Sequence, residues 1–251
     1  MSAGLTVFVV FLSVGIGACF QRIAGMGVGL LAGPVLSLIL GPVEGILVVN
    51  VLAATNALIT SVNMRGDIDW RKFWLIAPAL IFGAVPGALL IRAVEPDVVL
   101  VLVGALLLLA LALVTFGRRF VPEPHGPVPA VTSGVIGGFM NTLAGIAGPA
   151  ITVYAQAARW EQRVYAATLQ PIFFVSGIIS FTIKEFSGAA DLAGVNAWIW
   201  GAGALGMVLG IVTGVKLVPR ISRSTAHRIA LLLAALGGAT ALVRGAAGLF
   251  G

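Results

Sequence analysis

Long apolar runs follow one another along the whole chain and are separated by only short polar breaks. Reading the runs against the breaks predicts ten helical segments. Charged residues make up 10% of the chain, whereas a soluble domain carries about a quarter. The pattern predicts an all-α polytopic membrane protein and argues against a soluble enzyme, a nucleic-acid-binding domain or a secreted scaffold. The predicted segments are residues 5–20, 23–40, 43–62, 73–91, 98–116, 130–143, 146–158, 164–183, 195–218 and 229–250.

The distribution of Lys and Arg favours the ten-segment arrangement over an alternative with eight spans. In the eight-span alternative, residues 5–40 and 130–158 each cross once as a broken helix, and the positive charges divide evenly between the two sides. With ten segments and the N-terminus outside, only Arg92, Lys184 and Arg244 of the fifteen Lys and Arg lie outside. Because cytoplasmic loops carry the excess of Lys and Arg, we expect the ten-segment parity, both termini outside, and a bacterial-type inner membrane.

The sixth and seventh segments are too short to cross a bilayer. Residues 130–143 and 146–158 each extend roughly 20 Å at 1.5 Å per residue, against a hydrocarbon core of about 30 Å. We therefore predict a re-entrant pair that meets partway through the membrane. Whether the first two segments cross fully or are also re-entrant stays open.

The two halves of the chain resemble each other. The sequence predicts a first transmembrane repeat at residues 1–117, a cytoplasmic linker at 118–129 and a second repeat at 130–251. Matches occur in the same order in both halves: residues 21–27 with 141–147, 53–55 with 166–168, and the GxxxG motif of Gly83 and Gly87 with that of Gly206 and Gly210. Five segments per half would place the second repeat upside down relative to the first.

Glycine-rich breaks lie at matching places in the two repeats. Residues 25–29 are followed by Gly33 and Pro34, and residues 145–149 end in Gly148 and Pro149. A helix broken inside the bilayer exposes backbone groups that hydrocarbon cannot satisfy, and a helix start presents free N–H groups that attract anions. Inverted repeats with broken helices indicate a transporter whose site lies near the midplane.

The candidate substrate-binding residues are the glycines of the breaks and the polar residues beside or near them. Arg22 has two interpretations, a deep cation that binds an oxyanion or a residue of an ordinary inner loop. Instead of binding substrate, the polar residues within spans could form hydrogen bonds to a neighbouring helix. The GxxxG motifs are interpreted as helix-packing motifs. The full set is Gln21, Arg22, Gly25, Gly27, Gly29, Asn50, Thr55, Asn56, Asn141, Thr142, Gly145, Gly148, Thr168 and Gln170.

The chain resembles the TauE/SafE family of membrane permeases over nearly its whole length. The resemblance rests on Gly25-x-Gly27-x-Gly29 with Pro34, on residues 66–71 leading into Gly83-x-x-x-Gly87, and on Gly145-x-x-Gly148-Pro149 with Ala167 and Thr168. It implies export of sulfite or organosulfonates, and so a small sulfur-containing anion as substrate.

The acidic residues and both histidines lie in loops or at span ends, which leaves no side-chain proton relay. We predict an exporter of small sulfur anions that works by alternating access. The alternatives are an importer coupled to sodium or protons and an assembly protein without transport activity. No enzyme activity, cofactor, metal or nucleic-acid partner is predicted, so the expected partners are the anion and the lipid bilayer; the oligomeric state stays open.

Overall fold

The computed structural model describes residues 2–116, 124–190 and 194–250, and this part of the chain is helical without strands. Part of the predicted linker, residues 118–123, lies outside the described residues. The α-helices are α1 (Ala3–Ala24), α2 (Val28–Leu40), α3 (Pro42–Asn63), α4 (Trp70–Ile76), α5 (Leu80–Ala93), α6 (Pro96–Phe116), α7 (Val128–Ala144), α8 (Gly148–Ala157), α9 (Gln162–Ser187), α10 (Ala197–Leu217) and α11 (Arg223–Phe250).

Within the residues that the structure describes, seven helical stretches are long and apolar enough to cross a membrane. Their outward-facing side chains include Phe82, Leu209 and Leu232, as expected where hydrocarbon rather than water surrounds the protein. The fold is therefore that of a multi-pass membrane protein, as the sequence predicts. The seven stretches are Ala3–Ala24, Pro42–Asn63, Trp70–Ala93, Pro96–Phe116, Gln162–Ser187, Ala197–Leu217 and Ser224–Phe250.

All ten predicted segments correspond to helices, but the fourth is broken. Residues 73–91 were expected as one helix, whereas α4 ends at Ile76 and α5 begins at Leu80. Pro78 lies between them and has no N–H to donate, so the helical ladder is interrupted there. Hydrogen bonds three residues apart bridge the break, including one from the Leu80 N–H to the Ala77 carbonyl at 3.3 Å.

Two helical hairpins are formed by glycines in the left-handed conformation. Gly25 (φ 86°) ends α1 and Gly145 (φ 71°) ends α7, and the N–H of each donates 2.9 Å to a carbonyl four residues earlier. A Cβ on Gly17 would lie 2.9 Å from Val28 Cα, so the chain turns back along α1. A Cβ on Gly137 would lie 3.3 Å from the Ala147 carbonyl oxygen, which indicates the same reversal along α7.

Helix packing follows a pattern that is preserved when the two halves are exchanged. Helix α1 packs along α10, and its counterpart α7 packs along α5. The long helices α3 and α9 pack on each other, as do α6 and α11. The tips of both hairpins lie next to residues of α3 and α9, such as Asn50 and Gly177.

The contact between α1 and α10 depends on small residues, as the GxxxG spacing predicts. A Cβ on Gly206 or Gly210 would overlap a backbone carbonyl oxygen of α1, that of Phe11 or of Gly15. The corresponding pair, α5 and α7, is equally close, because a Cβ on Gly83 would overlap the Val135 carbonyl oxygen. In lipid, such close backbone approach replaces the hydrophobic effect as the force between helices, and the packing interpretation of these motifs is confirmed.

Adding a methyl group at Gly210 should destabilise the protein, whereas the same change at Gly201 should not. A Cβ on Gly210 would overlap the Gly15 carbonyl and lie 3.0 Å from Ala18 Cβ, while a Cβ on Gly201 in the same helix meets nothing within 4 Å. Overpacking costs about 1–3 kcal/mol, and Gly→Ala in a helix otherwise gains roughly 0.5–1 kcal/mol. We expect Gly210→Ala to lower and Gly201→Ala to maintain or raise the melting temperature in detergent. Equal melting temperatures for the two variants would contradict this account of the contact.

Candidate functional site

The tips of the two hairpins meet inside the protein. Gly29, in the first turn of α2, lies against the carbonyl of Gly145, so closely that a Cβ there would overlap the carbonyl oxygen. A Cβ on Gly148, at the start of α8, would lie 2.9 Å from Met26 Sδ of the other tip. Glycine permits this approach because it has no side chain. The two breaks that the sequence predicts are thus brought into direct contact.

Both tips direct a helix start toward the contact. Helix α2 begins after Gly27 and α8 after Ala147, and neither of these residues has a side chain that can cap the first N–H groups. In the first tip, the Val28 N–H donates to Gln21 Oε1 at 3.2 Å. The remaining free N–H groups in the first turns of α2 and α8, together with the positive N-terminal ends of the two helix dipoles, give this region a positive potential.

A small cavity of about 40 Å³ lies between the tips, which is room for a few water-sized groups. No acidic side chain is among the residues that line it in the described part of the chain. Seven of the fourteen candidate residues are included. The lining residues are Gln21, Met26, Gly27, Gly29, Leu30, Asn50, Ala53, Asn141, Gly145, Ile146, Ala147, Gly148, Pro149, Phe173 and Gly177. We call this space the tip cavity.

Asn50 supplies the tip cavity with a hydrogen-bond donor that has no partner. Its side chain lies near the middle of α3 and is 1% exposed, and its Nδ2 makes no hydrogen bond in the structure. A buried donor without a partner costs about 1–3 kcal/mol. Asn141, in contrast, donates from Nδ2 to the Ser176 carbonyl at 3.1 Å and to Ser180 Oγ at 2.9 Å. Asn50 therefore has a side-chain donor available for a ligand in this cavity.

Gln21 links the tip cavity to the helix behind it. Its Nε2 donates to Gln170 Oε1 on α9 at 3.4 Å, while its Oε1 accepts from the Val28 N–H. Both amide side chains are buried. The bonds hold the first tip against α9, so two of the candidate residues contact each other and have a positioning role here.

Two larger cavities adjoin the tip cavity at the end where α9 begins. One, of about 200 Å³, shares Gln21 with it and is also lined by Arg22, Gly25 and Gln170. The other, of about 260 Å³, shares Met26 with it and is also lined by residues such as Thr152, Tyr165 and His227. Because Ala24 and Gln162 line both cavities, we treat them together as the vestibule.

Arg22 lies in the vestibule rather than in the tip cavity. Arg22 is half-buried. The cavity that it lines is also lined by Met64 and Val218, at the ends of α3 and α10. Arg22 lies close to the ends of α3 and α10, as an inner-loop residue would. It also lines a cavity next to the tip cavity, as a cation that binds the substrate would. A cation there raises the local concentration of anions.

Four further candidates lie away from the tip cavity. The Thr55 side chain is exposed, and its hydroxyl bonds the Val51 carbonyl of its own helix. Asn56 is buried with an unpartnered Nδ2, but it is not among the residues that line the tip cavity. Thr142 is buried, and its hydroxyl bonds Ser180 Oγ at 2.9 Å.

The fourth, Thr168, anchors the loop before α4. Its Oγ1 accepts a hydrogen bond of 2.9 Å from the Asp69 N–H, and Asp69 in turn caps α4 by accepting 3.0 Å from the Lys72 N–H. Partial burial would raise the pKa of the Asp69 carboxyl, but the hydrogen bonds and charge of Lys72 outweigh it and lower the pKa. Asp69 therefore stays ionised at neutral pH and keeps the cap intact.

Eight of the fifteen lining residues are outside the predicted set, and three of these, Met26, Phe173 and Gly177, could have been found. Met26 lies between two glycines of the first tip and faces both the tip cavity and the vestibule. Phe173 and Gly177 lie three and seven positions after Gln170, on the same face of α9. Helical periodicity from Gln170 would have identified both.

Comparison with known proteins identifies the family of this chain. Residues 9–241 match the family described as sulfite exporter TauE/SafE. No curated protein and no solved structure matches the chain. The family supports, in general terms, a membrane exporter of sulfite or related sulfur anions and a transporter rather than an enzyme. Since the match covers nearly the whole chain, the protein belongs to the TauE/SafE family.

Proposed function

We propose that the protein exports sulfite or a related small sulfur oxyanion and binds it in the tip cavity. The observation that carries this proposal is the unpartnered Nδ2 of Asn50, which lies in the same cavity as the starts of α2 and α8. A buried donor and helix N-termini together form a site that is completed by acceptor oxygens. An oxyanion with several oxygens supplies those acceptors.

The charge of the cavity supports an anion over a cation. The lining residues include no carboxylate, and the positive ends of α2 and α8 meet there. A bound anion gains from both dipoles, while a cation is repelled by them. Asn50 lies near the middle of α3 and Phe173 near the middle of α9, both of which are long enough to span. The site would then lie about halfway through the membrane, as in transporters built from broken helices.

Alternating access between inverted repeats is the mechanism that we propose. The packing pattern supports two repeats, residues 1–117 and 130–251, because exchanging the halves maps the α1 and α10 pair onto α7 and α5. The vestibule supports entry of the anion from the end of the bundle where α9 begins. The anion would pass Met26 and Gln21, which line both the vestibule and the tip cavity. With both termini outside, this end is the cytoplasmic one in a bacterial-type inner membrane.

Efflux of sulfite from proteoliposomes tests the proposal. An inside-negative potential drives an anion outward with about 2.3 kcal/mol per charge per 100 mV, so no ion gradient is required. We expect labelled sulfite to leave protein-containing vesicles faster when such a potential is imposed, and methanesulfonate to compete for the same route. Vesicles without protein and protein-containing vesicles without a potential are the controls.

The ion requirement decides between this mechanism and the coupled alternative. Efflux that occurs only with a sodium or proton gradient would refute the potential-driven mechanism and favour an importer coupled to those ions. Absence of sulfite movement under every gradient would refute the proposed substrate class and leave a non-transport role.

A further inference from the structure

Lys184 is a buried lysine that does not line the tip cavity. It lies in the last turn of α9, its side chain is 0% exposed, and its Nζ has no hydrogen-bond partner in the structure. The sequence placed this residue just beyond a span that ends at residue 183, whereas α9 continues to Ser187 and the Lys184 side chain is buried. A charged group buried in a membrane protein is costly and is usually functional.

The face of α9 that lines the tip cavity leads directly to Lys184. Gly177 lines the cavity, and Ser180 and Lys184 follow at intervals of three and four residues, so all three share one face. The rise along the helix from Gly177 to Lys184 is roughly 10 Å. Between them, the Ser180 hydroxyl bonds the side chains of Asn141 and Thr142, each at 2.9 Å. Polar groups therefore continue along this face from the tip cavity to Ser180, about one helical turn before Lys184.

Lys184 lies at the opposite end of α9 from the vestibule. Gln162, the first residue of α9, lines both vestibule cavities, while Phe173 and Gly177 line the tip cavity farther along. Lys184 follows near the last residue of the helix. An anion that enters at the vestibule and crosses the tip cavity would meet this ammonium next.

Glu44 lies in the first turn of α3, the helix that packs along α9. Its carboxylate lies against the start of its own helix, because a Cβ added to Gly41 would lie 3.0 Å from Glu44 Oε2. A carboxylate in the first turn of a helix is stabilised by the helix dipole. The Lys184 Nζ makes no hydrogen bond to this carboxylate or to any other described group, so its donors are available for another anion.

We propose that the Lys184 ammonium is a second anion-binding position, on the route from the tip cavity to the outer surface, where sulfite or a related oxyanion is held before release. This inference rests on the proposed function. Glu44 sets the strength of the position, because its negative charge opposes binding of the anion and favours its departure.

Sulfite efflux from proteoliposomes tests the position with four variants. Lys184→Gln should lower the maximal rate at least fivefold, since the donor charge is lost, and Lys184→Arg should retain most of the rate. Glu44→Gln should strengthen anion binding at Lys184 and lower the apparent KM. Lys216→Gln makes the same charge change at an exposed residue of α10 and should leave both parameters unchanged.

The outcomes separate this inference from the proposed function. Failure of the wild-type protein to move sulfite refutes the function itself. Wild-type kinetics in Lys184→Gln, or an equal loss in Lys216→Gln, refutes the Lys184 position alone. Should Lys184→Gln not fold, the double change Lys184→Met with Glu44→Gln removes both charges together, and wild-type efflux by that variant also overturns the inference.

Discussion

Replacing Gly29 with alanine is expected to abolish sulfite efflux while leaving a folded protein. A Cβ at this position would overlap the carbonyl oxygen of Gly145 and lie 3.3 Å from its carbonyl carbon. The two tips must therefore separate, which displaces both helix starts from the tip cavity. A displacement of about 1 Å in a binding site can cost roughly a hundredfold in rate, and we expect at least that loss.

The expected destabilisation is too small to explain such a loss. Overpacking costs about 1–3 kcal/mol, whereas folded domains are stable by roughly 5–15 kcal/mol. Gly33→Ala, one turn later in α2, provides the graded comparison, because its Cβ would lie 3.3 Å from the Ala144 carbonyl oxygen. Efflux rates and melting temperatures of the two variants check the prediction. Normal efflux by Gly29→Ala would show that the contact between the tips is unrelated to transport.

Replacing Asn50 with leucine should weaken sulfite binding without destabilising the fold. The Nδ2 of Asn50 has no partner in the protein, so an apolar side chain of similar size removes a desolvation cost rather than a bond. A hydrogen bond to a charged group is worth about 1.5–3 kcal/mol. We therefore expect the KM for sulfite to rise roughly ten- to hundredfold, while the melting temperature stays equal or increases.

Asn56→Leu is the matched control for this prediction. Asn56 lies in the same helix and is 2% exposed, and its Nδ2 also has no partner, but it is not among the residues that line the tip cavity. Its replacement should leave the KM for sulfite unchanged. If the two variants raise the KM equally, the effect comes from α3 as a whole, and the Asn50 donor has no specific part in binding.

Element positions and the two breaks were predictable from the sequence. Apolar runs mark helices in a bilayer because each span must satisfy its own backbone hydrogen bonds. The break at Gly145 was predictable because glycine and proline coincide with two short segments there. The break between α4 and α5 was missed, although Pro78 could have indicated it. A single proline within an apolar run often only kinks a helix, so the residue alone did not decide the outcome.

The contribution of individual side chains depended on the tertiary structure. Asn50 and Asn56 lie in one helix and have the same chemistry, but only Asn50 lines the tip cavity. Thr142 and Thr168 satisfy their hydroxyls against other parts of the protein. Which neighbour receives each donor follows from packing between helices distant in sequence, and a linear pattern contains no record of it.

The sequence by itself determined that the chain spans a membrane, approximately where its helical segments lie, and which glycines interrupt them. These properties depend on local chemistry, namely apolar length, backbone satisfaction and the conformational freedom of glycine. The tertiary structure alone decided that Gly29 meets Gly145, that Asn50 has an unpartnered donor and that Lys184 is enclosed. Each of these depends on how α3, α9 and the two hairpins pack together.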